Sequence, residues 1–264
     1  MKSIHTDHMH YAKLDSTNHF LRELIKAQEA YLPDYLTIST DYQTAGRGQR
    51  VNDGWESAPG KNLLFSVLIR PKRVPIVEQF LISEAISLAI VDVMEAYSDD
   101  IKIKWPNDIY YKEKKLGGIL IEHAIQGQNI EYTIAGIGIN VKQTVFHGSA
   151  PNPVSLATIT GEVLDRMPIL ELLRERIEAR CELLFTGEED AANELQVEYL
   201  SKLFRFDEDA YFCDELGTFR GRIIGVSPEG VLTIKHRDSG ENLDYLFKEV
   251  RHVLFKDDEE TLTL

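Results

Sequence analysis

Cysteine is nearly missing: Cys181 and Cys213 are the only two in 264 residues. They form no CxxC pair and no Cys/His ligand spacing, which excludes a disulfide-framed or zinc-stapled scaffold and predicts no protein metal site. Both read as small core residues in a reducing compartment. No apolar run reaches the roughly 20 residues that a membrane-spanning helix needs. The first residues lack the apolar core of a signal peptide. A cytoplasmic protein with no membrane partner is the expectation. Blocks of lysine and arginine are absent too, and the net charge is -14. Such a chain repels nucleic-acid phosphate, so no nucleic-acid partner is expected. No Rossmann or Walker glycine pattern stands in the right context, which counts against both nucleotide-binding folds.

What is present is core material, 43% hydrophobic residues, enough for one large domain and a small second one. Strand-like runs cover 9–14, 37–42, 62–70, 101–104, 109–111, 116–125 and 132–141. The last of these follow one another across short turns, which predicts an antiparallel or mixed sheet rather than a doubly wound parallel one. Amphipathic patterns predict helices over 19–28, 76–97, 168–185 and 190–203, with a short turn of helix at 155–160. In 76–97 the core face is marked by Phe80, Leu81, Ala85, Leu88, Ala89 and Val93, and Pro168 is placed at the first helical position. From 205 the pattern becomes short strands between Gly, Pro and Asp turns, as in a small closed barrel. The reading is therefore α+β, with a domain over 1–204 and a β-barrel over 205–264. The acidic stretch 256–260 reads as a solvated tail.

The chain is organised around Gln43-Thr-Ala-Gly46-Arg47-Gly48-Gln49-Arg50. Glycine permits close approach of backbone to a ligand. Arginine presents planar, permanently charged donors suited to phosphate and carboxylate. A strand-free loop with both features, running on to Trp55, suits a flap over an anion; an ordinary charged surface loop has the same composition. Four other stretches stand out. Ser16-Thr17-Asn18 are N-cap residue types before a helix. Lys104-Trp105-Pro106-Asn107-Asp108 places a polar pair where Pro106 must interrupt a strand; a turn is the plainer account. Lys115-Leu116-Gly117-Gly118 puts paired glycines in a strand, meaning close approach of another group or a β-bulge. Gly136-Ile137-Gly138-Ile139-Asn140 ends another strand in the same style.

In this order and spacing the five stretches resemble the biotin protein ligases (biotin–acetyl-CoA-carboxylase ligases), from about residue 11 to 253. The resemblance implies a catalytic domain related to class II aminoacyl-tRNA synthetases, followed by an SH3-like barrel. Some members carry an N-terminal helix-turn-helix repressor domain; few residues precede the first strand here, so a form without it is expected. Biotin's carboxylate would attack the α-phosphate of ATP, giving biotinyl-adenylate and pyrophosphate, with Mg²⁺ neutralising the triphosphate. A lysine of a biotin carboxyl carrier protein would then take the biotinyl group.

By family position, Arg47 and Lys115 contact carboxylate and phosphate, and Asp108 positions or deprotonates the acceptor amine with Lys115. Ser16, Thr17 and Gln43, with Asn18, serve the ureido ring. Trp55, Gly117 and Gly118 flank the tail, within a pocket that includes Gly46 and Gly48. Asn107, Gly136, Gly138 and Asn140 lie by the nucleotide, Asn140 facing adenine. Many members read Gly-Arg-Gly-Arg; here Gln49 intervenes, so either Gln49 or Arg50 takes the second phosphate contact. Lipoate or octanoate transfer on the same fold and a non-catalytic biotin sensor are the competing readings. A monomer and an edge-paired homodimer both fit.

Overall fold

The computed structural model describes residues 7–28, 32–48, 54–72, 74–148, 152–188 and 190–254. It divides between Phe204 and Arg205 into two compact units.

The first unit is built on a seven-stranded sheet. Its strands are β1 (His8–Tyr11), β2 (Thr37–Thr40), β3 (Leu63–Ile69), β4 (Ile101–Lys104), β5 (Asp108–Tyr111), β6 (Lys114–Gln126) and β7 (Asn129–Ile139), in the order β1-β2-β3-β7-β6-β5-β4. Helix α1 (Thr17–Gln28) is the crossover between β1 and β2, which are therefore parallel; the other pairs are antiparallel. The sheet is mixed, as its sequence predicts.

All seven residues of β3 are buried, so both faces of the sheet centre are covered. On one face Leu21 and Ile25 of α1 join Leu36, Ile38, Leu68 and Ile134 in a buried cluster. Each such aliphatic side chain contributes roughly 1.5–3 kcal/mol on burial. Elsewhere, with the short α3 (Leu156–Thr160) apart from them in sequence, α2 (Phe80–Met94), α4 (Arg166–Phe185) and α5 (Ala191–Lys202) form a helical layer in which α2 contacts both others and β4. A single apolar face is the sequence expectation for α2. Instead it is buried almost all round, Glu84 included, because α4 and α5 cover its outer side. The predicted start at 76 is a 3₁₀ turn, Ile76–Glu78, and the α-helix begins after it. Pro168 is the third helical residue, not the first, because Asp165 is the N-cap. Its missing N–H still falls among the four unpaired donors of a helix start.

The second unit is an antiparallel five-stranded sheet, in the order β11-β10-β9-β8-β12, made of β8 (Asp209–Asp214), β9 (Gly217–Val226), β10 (Leu232–His236), β11 (Asn242–Tyr245) and β12 (Arg251–His252). Phe212, Ile223, Leu232 and Ile234 are its buried centre. Two-residue β12 is too short to leave a periodic signal in sequence. Cys181 is buried, but Cys213 is half-exposed, with the Arg251 guanidinium 3.4 Å from its sulfur.

Candidate functional site

Period-two alternation sorts the sheet's side chains, and register tells which share a face. Asp108 lies opposite Gly118, Gly118 opposite Gly138, and Gly138 opposite Leu64. The next row on that face is Leu120, Gly136 and Ser66, and the one beyond is Glu122, Ile134 and Leu68. This is the face that carries α1. Three glycines therefore lie together where the helix begins, leaving a floor without side chains.

A bulge brings Lys115 onto the same face. Ile109 pairs with Gly117 while Tyr110 pairs with Lys115, so Leu116 is an extra residue in β6. Without it Lys115 and Gly118, three apart, would point to opposite faces. With it the Lys115 ammonium meets the Asp108 carboxylate at 2.7 Å, both side chains about one-fifth exposed. A Cβ built on Gly118 would lie 3.4 Å from Asp108 Oδ1, 3.5 Å from Lys115 Cε and 3.3 Å from Trp55 Cζ3. On Gly138 it would fall 2.5 Å from the Trp55 ring. Trp55 thus lies across the glycine floor, with the Lys115 ammonium 5.8 Å from its ring centroid. Its Nε1 is buried without a hydrogen-bond partner among the described residues. Gly117 is on the other face, where a Cβ would meet Ile139 Cδ1 at 2.6 Å.

The second group stands at the start of α1. Ser16 caps the helix weakly, accepting from the His19 N–H at 3.4 Å, and Thr17 and Asn18 are its first residues. The Thr17 N–H donates to Gln43 Oε1 at 2.8 Å, and the Thr17 hydroxyl reaches the same oxygen at 3.2 Å. Asn18 donates to Glu122 Oε2 at 2.8 Å and to the Leu120 carbonyl at 3.3 Å. Ser66 Oγ lies 2.6 Å from Asn18 Oδ1 and 2.7 Å from Thr17 Oγ1. Gly136 is where it is because Asn18 occupies the space its side chain would need. Gly136 therefore belongs with the Thr17 group, whereas Gly138 belongs with Lys115.

The remaining candidates are spread around these two groups. The Asn107 side chain donates to the Ile119 carbonyl, and the Ile119 N–H returns a bond to the Asn107 carbonyl at 2.9 Å, so its amide is held against β6. Asn140 donates to the Val154 carbonyl at 3.1 Å, and its Oδ1 is buried without a partner among the described residues. Asn152 and Val154 pair with the backbone of Lys115, bringing that segment alongside the site. The described residues of the 43–60 stretch form no strand, as expected, but an isolated bridge joins Arg47 to Gly54, and the Trp55 N–H donates to the Gly46 carbonyl at 3.2 Å, closing the base of the loop. Arg47 is exposed and Gly48 half-exposed. Gln49 and Arg50 lie outside the described residues.

Sequence reasoning missed four polar residues around the site. Ser66 is the single polar residue of β3, and Glu122 interrupts an apolar run in β6; each was a visible exception whose face could not be assigned without the register. Glu56 and Gln143 lacked any such signal. Gln143 Oε1 accepts from the Ala58 N–H at 2.8 Å and from Asn62 at 2.9 Å, while Glu56 accepts from the N–H groups of His147 and Gly148. They tie the segment after Trp55 to the segment after Asn140.

Residues 11–140 match the model of the biotin/lipoate A/B protein ligase family. The bifunctional ligase/repressor BirA of Bacillus spizizenii is 29% identical over 212 residues, which are 78% of this chain and 63% of that protein. The biotin–[acetyl-CoA-carboxylase] ligase of Mycobacterium tuberculosis is 31% identical over 64% of this chain and 62% of its own length. The chain thus spans less than two thirds of these curated relatives. A biotin protein ligase from Aquifex aeolicus, solved with biotin and ATP, superposes with a TM-score of 0.72 at 27% identity, over 93% of this chain and 99% of that one. Over residues 11–140 the chain is similar to the biotin/lipoate A/B protein ligase family, and within that family its likeness is to the biotin protein ligases.

Proposed function

We propose that this chain is an ATP-dependent ligase that activates biotin as biotinyl-5'-AMP and transfers it to a lysine of a biotin carboxyl carrier protein. The observation that carries the reading is the Lys115–Asp108 pair at the end of a glycine floor roofed by Trp55. Joining a carboxylate to a phosphate brings two anions into bonding range, and fixed positive charge at their meeting point lowers the barrier. The β6 bulge, which turns Lys115 onto the face of the glycine floor, supports giving it that task. Arg47, at the base of the 46–55 loop, is assigned the second charge.

Biotin lies with its ring towards Thr17 and Gln43 and its tail along Gly118 and Gly138 beneath Trp55. A tail on a side-chain-free floor makes close van der Waals contact with backbone, and the indole excludes water from the reactive mixed anhydride. Asn140 Oδ1, a buried acceptor without a partner among the described residues, suits the exocyclic amine of adenine. In the second half-reaction Asp108, 2.7 Å from Lys115, orients the incoming lysine amine and takes up its proton as the amide forms, the acyl–phosphate bond breaks and AMP leaves. Mg²⁺ arrives with ATP, since this ion is commonly held by substrate phosphates and few protein carboxylates. When bound it supplies charge neutralisation of the triphosphate. Residues 1–204 are assigned the chemistry and 205–264 an accessory role.

The decisive experiment incubates the protein with ATP, biotin and a carrier domain. Pyrophosphate release and a biotin-sized mass increment on one carrier lysine are expected. Binding without pyrophosphate would instead mean a sensor. The same incubation with lipoate replacing biotin tests the rival substrate; product there and none with biotin would reassign the enzyme.

A further inference from the structure

The polar chain behind Thr17 has a fixed direction. Glu122 can only accept, and it accepts from Asn18 Nδ2 at 2.8 Å and from the Arg22 guanidinium at 2.6 Å. The second Asn18 amide proton goes to the Leu120 carbonyl, so Asn18 Oδ1 must be the atom that faces Ser66. An amide oxygen has no proton to give, so the Ser66 hydroxyl donates to it. A hydroxyl has only one proton. Ser66 shares that proton between Asn18 Oδ1 and Thr17 Oγ1, 2.7 Å away, while the Thr17 proton goes to Gln43 Oε1 at 3.2 Å. Thr17 Oγ1 is left with lone pairs and no proton to offer. Gln43 Oε1 also holds the Thr17 N–H, which leaves Gln43 Nε2 as an amide donor beside Gly46.

We infer that Ser66 and Glu122 are positioning residues that fix Thr17 Oγ1 as an acceptor and Gln43 Nε2 as a donor, the pairing a cyclic urea requires. A urea offers ring N–H donors on either side of one carbonyl acceptor, and the two protein atoms match them in type. Ser66 is fully buried behind Thr17, and Glu122 stands two side chains further back, so both act through Thr17. The Arg22 guanidinium, 2.6 Å away, orients the Glu122 carboxylate. The inference rests on the proposed binding of the biotin ring at Thr17 and Gln43.

A double-mutant cycle on the full chain tests it. Ser66→Ala and Glu122→Gln are each made alone and on a Thr17→Val background, and biotin affinity is read by calorimetry with kcat and both KM values from pyrophosphate release. Each single variant is expected to weaken biotin about tenfold, the loss of roughly one well-placed hydrogen bond. KM for ATP and kcat stay within about twofold of wild type, because neither residue adjoins Lys115. On the Thr17→Val background the same changes should cost less than about twofold. Glu122→Gln is isosteric at a half-exposed position, so the test stands even if Ser66→Ala folds poorly. Equal losses with and without the Thr17 hydroxyl would overturn the inference, as would a matching fall in kcat. Failure of the wild type to bind biotin would overturn the ring assignment itself, a separate and recognisable result.

Discussion

At Gly138 an added methyl would press on the Trp55 ring at 2.5 Å, while at Gly117 it would press on Ile139 Cδ1 at 2.6 Å and on the Gly138 carbonyl at 2.9 Å. The two distances are alike and the consequences are not. Trp55 belongs to a half-exposed loop and can swing off the sheet, whereas Ile139 and the carbonyl are fixed in the core. Gly138→Ala should therefore melt within a few degrees of wild type and leak biotinyl-adenylate into solution. Gly117→Ala should lose roughly 1–3 kcal/mol through overpacking, seen as a lowered melting temperature. Leaked adenylate is measured by chromatography of a carrier-free reaction. If Gly138→Ala retains adenylate as wild type does, Trp55 is not its cover. The charge at Lys115 is the other test at this scale. Lys115→Ala should slow pyrophosphate release about 10²–10³-fold, the effect of removing one preorganised donor, while biotin still binds. An unchanged rate would remove Lys115 from the chemistry.

Among the elements, one carboxylate holds the His147–Gly148 end of the segment after β7. Glu56 Oε1 accepts from the His147 N–H at 2.9 Å and from Gln143 at 3.3 Å, and Oε2 accepts from the Gly148 N–H. Glu56→Ala leaves these donors without their charged acceptor, at about 1–3 kcal/mol. Amide hydrogen exchange at His147 and Gly148 should accelerate at least tenfold, with exchange in β3 unchanged; slow exchange at both would show that other contacts hold the segment. Glu56 also shows what sequence can and cannot deliver. The strands 62–70 and 101–104 and helix 19–28 were legible because period-two and period-3.6 patterns are local. The residue types around the site were legible as well, since paired glycines and Asn-Asp in strands are locally unfavourable. Their grouping was not. Whether Gly136 sits with Thr17 or with Lys115 depends on the β3–β7–β6 register, and the facing of Lys115 depends on one extra residue at Leu116. Register and bulges arise from pairings between distant strands, which no local window contains. Two-residue β12 and the all-round burial of α2 were invisible for the same reason.

Across the whole molecule, the helical layer carries a charge problem of its own. Glu84 of α2 is 1% exposed, and its Oε2 has no hydrogen-bond partner among the described residues. Burial pushes its pKa from the usual carboxyl range up to about 8. The Tyr199 hydroxyl beside it is also buried and without a partner among the described residues, and its pKa is raised by burial first and by Glu84 second. At neutral pH Glu84 is therefore protonated in the folded protein and ionised in the unfolded chain. The folded state then binds more protons than the unfolded one, so stability falls as pH rises. The contribution is complete below the unfolded value of 4.5 and is lost progressively up to about 8. A fully populated difference of one proton gives a slope of about -1.4 kcal/mol per pH unit. Between pH 6 and 8 the wild type should lose a few kcal/mol from this group, seen as a lowered denaturant midpoint at constant m-value. Glu84→Gln cannot ionise, so its unfolding free energy should stay flat where the wild type declines, and the two curves should converge towards pH 5. Parallel curves over that range would mean that Glu84 is already ionised in the fold, with its charge met by a group that the helical layer does not display.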